Sequence, residues 1–180
     1  MPAERPTYET LRATAIECVQ SASPILAPDG EIAIDKSRIS AVRAPSCTHS
    51  WGPHYFALSR FPKTRSTNDF ITHMERMIPN LETWAISIQD VVVDQERRVA
   101  TLRTYLFMTP KGLGSKKERT IMNEELWYVT MTEDGKKVQS AEEYVDSEAS
   151  AAVLKKMRAG KEAGVIWYSD QSGLEGECGE

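Results

Sequence analysis

The residues of this chain that could do chemistry concentrate in one stretch, NEELWYVTMTEDGKKVQSAEEYVDS, residues 123–147. It reads as two strands joined at Glu133-Asp134-Gly135, with the glycine supplying the positive φ of a tight turn. Carboxylates occupy strand positions at Glu124, Glu125, Glu142 and Glu143. They either sit on a wet outer face or point into a pocket. Side chains alternate along a strand, so Asn123, Glu125, Trp127 and Val129 share one face of the first strand. On the second strand Gln139, Ala141, Glu143 and Val145 share a face. The strand before them groups Arg103, Tyr105 and Phe107. Joined, Arg103, Tyr105, Asn123, Glu125, Trp127 and Glu143 make a mixed aromatic and polar lining, as a ligand site requires. Leu102, Leu106, Leu126 and Tyr128 then fall on the opposite face. A carboxyl among Trp127, Tyr105 and Phe107 is desolvated; its pKa rises, and it can act as a general acid or base near neutral pH. The competing arrangement leaves Glu125 and Glu143 solvated or paired with Arg103. A single β-bulge would reverse the parity of a face.

Other candidates lie upstream. His49 and His54 fall in APSCTHSWGPHYFALSRFPKTRS, residues 44–66, expected as an irregular loop over the pocket mouth. A histidine beside a buried carboxylate is a proton shuttle; the alternative is a surface histidine. Their spacing does not make a zinc site. Cys47 reads as a buried thiol or as a nucleophile. Arg43 and Arg38 are candidates to polarise a substrate oxygen, or else form surface salt bridges. His73 reads as structural, and Asp146 as a helix cap. KGLGSKK lacks the spacing of a phosphate loop.

These residues need elements to position them. Leu11, Ala15, Cys18 and Val19 form an apolar stripe on a helix over 7–22. A second helix is expected over 31–43, and a third with Thr67 or Asn68 as cap and Phe70, Ile71, Met74 and Met77-Ile78 buried. From residue 83 the period becomes two, giving strands over 83–94, 99–109, 121–132 and 136–146, then a helix from about Ser147 to Arg158. Helices followed by a four-stranded antiparallel meander define an α+β domain, whose curved sheet under helices makes a cone with an open mouth. One domain over 1–168 and an acidic disordered tail over 169–180 are expected. The net charge of -4 argues against nucleic acid. No apolar run reaches the roughly 18 residues of a membrane span. No signal peptide is expected at the N-terminus. Three widely spaced cysteines, Cys18, Cys47 and Cys178, fit a reducing, cytoplasmic setting.

Arg43 with Cys47, His49 and Pro53, the DVVVD run ending at Asp94, NEELWYV, Asp134-Gly135-Lys136 and EYVDS from Glu143 together carry a family likeness. Over roughly residues 7–158 the chain resembles the SnoaL-like branch of the nuclear transport factor 2-like superfamily. The likeness is to fungal biosynthetic cyclases, isomerases and hydrolases acting on polyketides, terpenoids and alkaloids. It implies a cofactor-independent enzyme that isomerises, cyclises or rearranges a small natural-product intermediate, with dehydration or hydrolysis left open; no metal ligands are expected. In that reading Glu143 or Glu125 moves a proton with help from His49. Arg43, Tyr105 and Asn123 hold a substrate oxygen, and Trp127, Phe107 and Trp51 form the apolar wall. Arg103 and Arg38 complete the expected contacts. A non-catalytic binding module of the same fold is the alternative, and a homodimer is implied by analogy.

Overall fold

A computed structural model of the chain describes residues 5–53 and 64–165. In chain order the elements are helix α1 (Tyr8–Gln20), strands β1 (Pro24–Leu26) and β2 (Ile32–Ile34), helix α2 (Lys36–Val42), strands β3 (Arg43–Gly52) and β4 (Arg65–Ser66), and helix α3 (Thr67–Met77). A 3-10 turn (Ile78–Asn80) leads into β5 (Leu81–Asp94) and β6 (Val99–Pro110). The short helix α4 (Lys116–Arg119), β7 (Ile121–Met131), β8 (Val138–Val145) and helix α5 (Ser147–Glu162) complete the described chain. His54 and the acidic tail lie outside the described residues.

β5 to β8 form the expected antiparallel meander, but the sheet does not end there. Its order is β4-β3-β8-β7-β6-β5, and β3 runs parallel to β8. The sheet is therefore mixed, curved and unclosed. The last two residues of the segment read as an irregular loop form β4, and its first part is instead an internal strand of the sheet, Arg43–Gly52. Its period of two was present: Cys47, His49 and Trp51 are buried between the less buried Thr48 and Ser50. Cysteine and histidine at two of the inward positions disguised it. Pro45, which has no N–H for the ladder, falls where the register shifts between Arg43 and Thr48. The expected helix over 31–43 is shorter, because Ile32–Ile34 pairs with Pro24–Leu26 and Asp35 caps α2 by accepting from the Arg38 amide. α3 is capped one residue earlier than expected, by Ser66 in a capping box with Asp69.

Helices cover the concave face. α1 buries Leu11, Ala15, Cys18 and Val19 against Leu102, Val129, Met131 and Val138. Each leucine, valine or methionine among them stabilises the fold by about 1.5–3 kcal/mol when removed from water. α3 buries Phe70, Ile71 and Met74 against Trp51, Trp84, Leu106 and Met108 at the other end. Gly135 (φ 72°) lets the β7–β8 turn pass under α1; a Cβ there would lie 2.6 Å from Pro6, and Thr14 Oγ1 donates to the Gly135 carbonyl at 2.7 Å. No helix among the described residues is long and apolar enough to cross a membrane.

Register decides which side chains meet. Thr104 lies opposite Glu125, Leu106 opposite Asn123 and Leu102 opposite Trp127. Directly paired residues share a face, so Leu102, Thr104 and Leu106 join the carboxylates on the concave side. The expected grouping of Arg103, Tyr105 and Phe107 with Glu125 is thus corrected: those three turn to the outer face, where Arg103 and Phe107 are exposed. Alternation sorts side chains within a strand but does not say which sets join across a connection. Here the connection holds a helical turn, α4, rather than a tight hairpin whose length would fix the register. A bulge between Ile88 and Asp90 resets parity within β5 as well.

Candidate active site

Glu125 on β7 and Glu143 on β8 stand side by side on the concave face, at 3% and 7% exposure. Glu125 Oε2 accepts from Trp127 Nε1 at 3.3 Å and from Thr104 Oγ1 at 3.5 Å. Glu143 Oε2 lies 3.1 Å from His49 Nε2, and Glu143 also accepts from the Trp51 indole. The two carboxyls hydrogen-bond to each other, with Glu125 the protonated partner. Burial, then the charge of Glu143, pushes Glu125 well above the ordinary carboxylate range. Burial also pushes Glu143 up, to about 8, against the pull of the Trp51 hydrogen bond, the Arg43 charge and the Glu125 hydrogen bond. Both carboxyls are thus harder to ionise than an ordinary glutamate, and the Arg43 charge eases ionisation of Glu143.

His49 fixes this arrangement from behind. Its ring stacks on Phe70 at 4.3 Å, tilts against Trp51 at 4.5 Å and meets the edge of Trp127 at 5.6 Å. Burial, with the charges of Arg43 and Arg65, holds its pKa well below the usual value, so the ring is neutral. Nδ1 is buried without a partner among the described residues. A buried orphan N–H is costlier than a bare lone pair, so the single ring proton is assigned to Nε2, donating to Glu143. Trp51, His49 and Glu125 are thus placed to donate to Glu143 once it ionises, while burial holds its proton on up to about pH 8.

Arg43 is buried one layer further back. It donates to the Ile39 carbonyl at 3.1 Å and Ser21 Oγ at 3.3 Å, and its guanidinium carbon lies 4.9 Å from the Phe70 ring centre. It makes no ion pair among the described residues. Its charge acts on Glu143 and His49 at a distance.

The carboxyl pair opens onto a cavity of about 50 Å³. Trp51, Trp84, Trp127 and Leu106 line it together with α3, whose Phe70, His73, Met74 and Met77 share one face. That volume holds a few waters and is below the roughly 300–1,000 Å³ of drug-sized ligand sites.

Of the residues expected here, Glu125, Glu143, Trp51 and Trp127 line the cavity, while His49 and Arg43 stand behind it. The other expected contacts lie elsewhere. Arg103 pairs with Glu124 at 3.4 Å on the outer face, where Tyr105 meets Phe107 edge-on. Arg38 makes a two-pronged bond to Glu17, at 2.6 and 2.8 Å, on the helix side. Asn123 is buried but structural: it accepts from the Asp146 amide and donates to Ser150 Oγ, both at 3.0 Å, tying β7 to the start of α5. Cys47 is a buried thiol pushed up to about 11, chiefly by burial, and is no nucleophile at neutral pH. Among the described residues no group of three His, Cys, Asp or Glu side chains is placed to hold a metal ion. Sequence reasoning missed Thr104, Trp84 and the cavity position of His73. The signal for His73 was its place three residues after Phe70 and four before Met77, in the buried stripe of α3.

No family model matches the sequence, and no curated protein matches it. Solved structures do match the fold. BvnE pinacolase from Penicillium brevicompactum is 13% identical, with a TM-score of 0.66 over 84% of this chain and 93% of its own. PrhC from Penicillium brasilianum is 18% identical, with a TM-score of 0.66 over 86% of this chain and 92% of its own. A protein assigned as a SnoaL-like polyketide cyclase from Jannaschia sp. is 10% identical, with a TM-score of 0.59 over 88% and 99%. The chain has the SnoaL-like form of the nuclear transport factor 2-like fold, with a buried carboxyl pair on its concave face.

Proposed function

We propose that this protein is a cofactor-independent enzyme that isomerises, cyclises or rearranges a small natural-product intermediate by proton transfer. The observation that carries the reading is the Glu125–Glu143 pair: two buried carboxyls, hydrogen-bonded to each other, at the floor of an aromatic cavity. A binding module has no use for two groups that cost stability when buried. An acid–base catalyst needs one group that holds a proton and one that takes it, both poised near neutral pH. Glu125 donates its proton to a substrate oxygen. Glu143 removes a proton from a neighbouring carbon, and the electron pair of that C–H bond moves toward the protonated oxygen. Glu143 then delivers that proton to another carbon while the enol oxygen returns its own to Glu125, which restores both carboxyls without a co-reactant. His49 and Arg43 are positioning residues, the first holding Glu143 and the second favouring its anion. Neighbours of this fold named as a pinacolase and as a SnoaL-like polyketide cyclase support a role on such intermediates. The buried free thiols of Cys18 and Cys47 fit the cytoplasm.

The test is hydrogen–deuterium exchange at the α-carbons of 2-octanone in D2O, followed by NMR. Wild type should exceed the buffer rate, while Glu125→Gln and Glu143→Gln should fall to it. Wild-type exchange at the buffer rate, or both variants matching wild type, would sink the assignment.

A further inference from the structure

Three tryptophans line the cavity: Trp51, Trp84 and Trp127. Two of them commit their indole N–H to the carboxyl pair, Trp51 to Glu143 and Trp127 to Glu125. Trp84 does not. It is 7% exposed, and its Nε1 is buried with no hydrogen-bond partner among the described residues. A buried N–H without an acceptor is rare and costs free energy. The same side chain without the N–H, phenylalanine, would fill an apolar wall at no such cost.

Trp84 is also remote from the pair. It sits on β5 opposite Met108 of β6, whereas Glu125 lies opposite Thr104. Two strand spacings across and four residues along put the Cα atoms of Trp84 and Glu125 on the order of 16 Å apart. Both residues line the cavity, and the register places Leu106 and Ile86, which line it too, between them. The nitrogen is closed off from the free space at present. Met74 and Met77 share the cavity wall, and unbranched methionines repack readily around an incoming group.

We propose that Trp84 is a substrate-binding residue whose indole N–H donates to a second ligand oxygen, so that the substrate carries two oxygen acceptors separated by an apolar stretch. One oxygen meets Glu125 and the other meets Trp84. The inference rests on the acid–base reading for its first oxygen only. It converts a cavity generic for apolar ligands into one selective for dioxygenated skeletons, because an unpaired site donor discriminates against a ligand lacking the acceptor.

The test uses 2,7-octanedione and 2-octanone, equal in chain length and differing by one carbonyl. Their affinities are measured by titration calorimetry for wild type and Trp84→Phe. The dione-to-monoketone affinity ratio should fall about five- to tenfold in the variant, as expected for one hydrogen bond. In wild type, saturating 2,7-octanedione should move the Trp84 indole N–H resonance downfield in a 15N-labelled sample, and 2-octanone should not. This readout needs no variant to fold. A ratio unchanged by the substitution, an unmoved indole resonance, or no dione binding overturns the proposal. The exchange assay above fails or succeeds independently, since it reads Glu125 and Glu143 rather than Trp84.

Discussion

Replacing Glu143 by Gln should stabilise the protein at neutral pH and not at acidic pH. The folded-state pKa of Glu143 is raised, from 4.5 to about 8. The folded protein thus holds a proton that the unfolded chain releases. The sign follows: stability from this group is complete below pH 4.5 and is lost as pH climbs to about 8. Each pH unit inside that window costs about 1.4 kcal/mol per proton. At pH 7 the deficit is therefore on the order of 3 kcal/mol. The amide of Glu143→Gln has no proton to release and escapes the deficit. Its carbonyl still accepts from His49 and Trp51, and its NH2 group donates to Glu125. Crowding two donors on one amide oxygen gives back about 1 kcal/mol. The net gain is about 2 kcal/mol at pH 7, or roughly 4–8 °C in Tm for a chain of this size. At pH 4.5 the variant should be equal to wild type or slightly less stable. Thermal unfolding followed by circular dichroism between pH 4.5 and 8 would reveal the crossover. A wild type whose Tm is flat across the window, or a variant less stable at both ends, would refute the reasoning about the carboxyl pair.

Arg43→Met removes the cation that favours the Glu143 anion, so the inflection in the pH profile of 2-octanone exchange should move upward; an unchanged inflection would show that Arg43 acts on folding alone. Phe70→Ala removes the ring on which both His49 and Arg43 pack, and should cost about 3–5 kcal/mol in urea unfolding; a loss under 1 kcal/mol would mean the two side chains do not depend on it. We also propose that the outer face, where Phe107, Leu126, Tyr128 and Tyr144 are exposed, pairs two copies of the chain. Leu126→Glu should then give a monomer by light scattering, and the idea fails if wild type is itself monomeric at about 100 μM, where an association worth about 5.5 kcal/mol is half complete.

Much of this was legible from residues 81–162, and for a physical reason. Long strands with period two, turns marked by Gly135, and a helix opened by Asp146 are local signals, each readable in a short window. The faces of β7 and β8 were legible for the same reason, and with them the pairing of Glu125 with Glu143. Which face of β6 joins them was not, because that depends on register across residues 111–120. The wall built by β3 was not legible either. Its inward residues, Cys47, His49 and Trp51, do alternate, but a cysteine and a histidine just after Pro45 do not read as an apolar stripe. Its partner, β8, lies far along the chain. Trp84 was invisible as a binding candidate because an unsatisfied donor is a property of surroundings, not of sequence.

The parallel pairing of β3 with β8 bears on how the protein comes to be folded. The meander from β5 to β8 closes through connections of ten residues or fewer, with each strand beside its neighbour in sequence. His49 and Glu143 are 94 positions apart, and their contact forms only when the chain closes that span. Loop closure of this length carries an entropic cost that hairpins avoid. We expect the contact to be absent from the folding transition state, so that removing it accelerates unfolding and leaves the refolding rate nearly unchanged. Proton-transfer competence would then be the last property the chain acquires in folding. It would be the first lost when β3 pulls away, before the meander itself gives way.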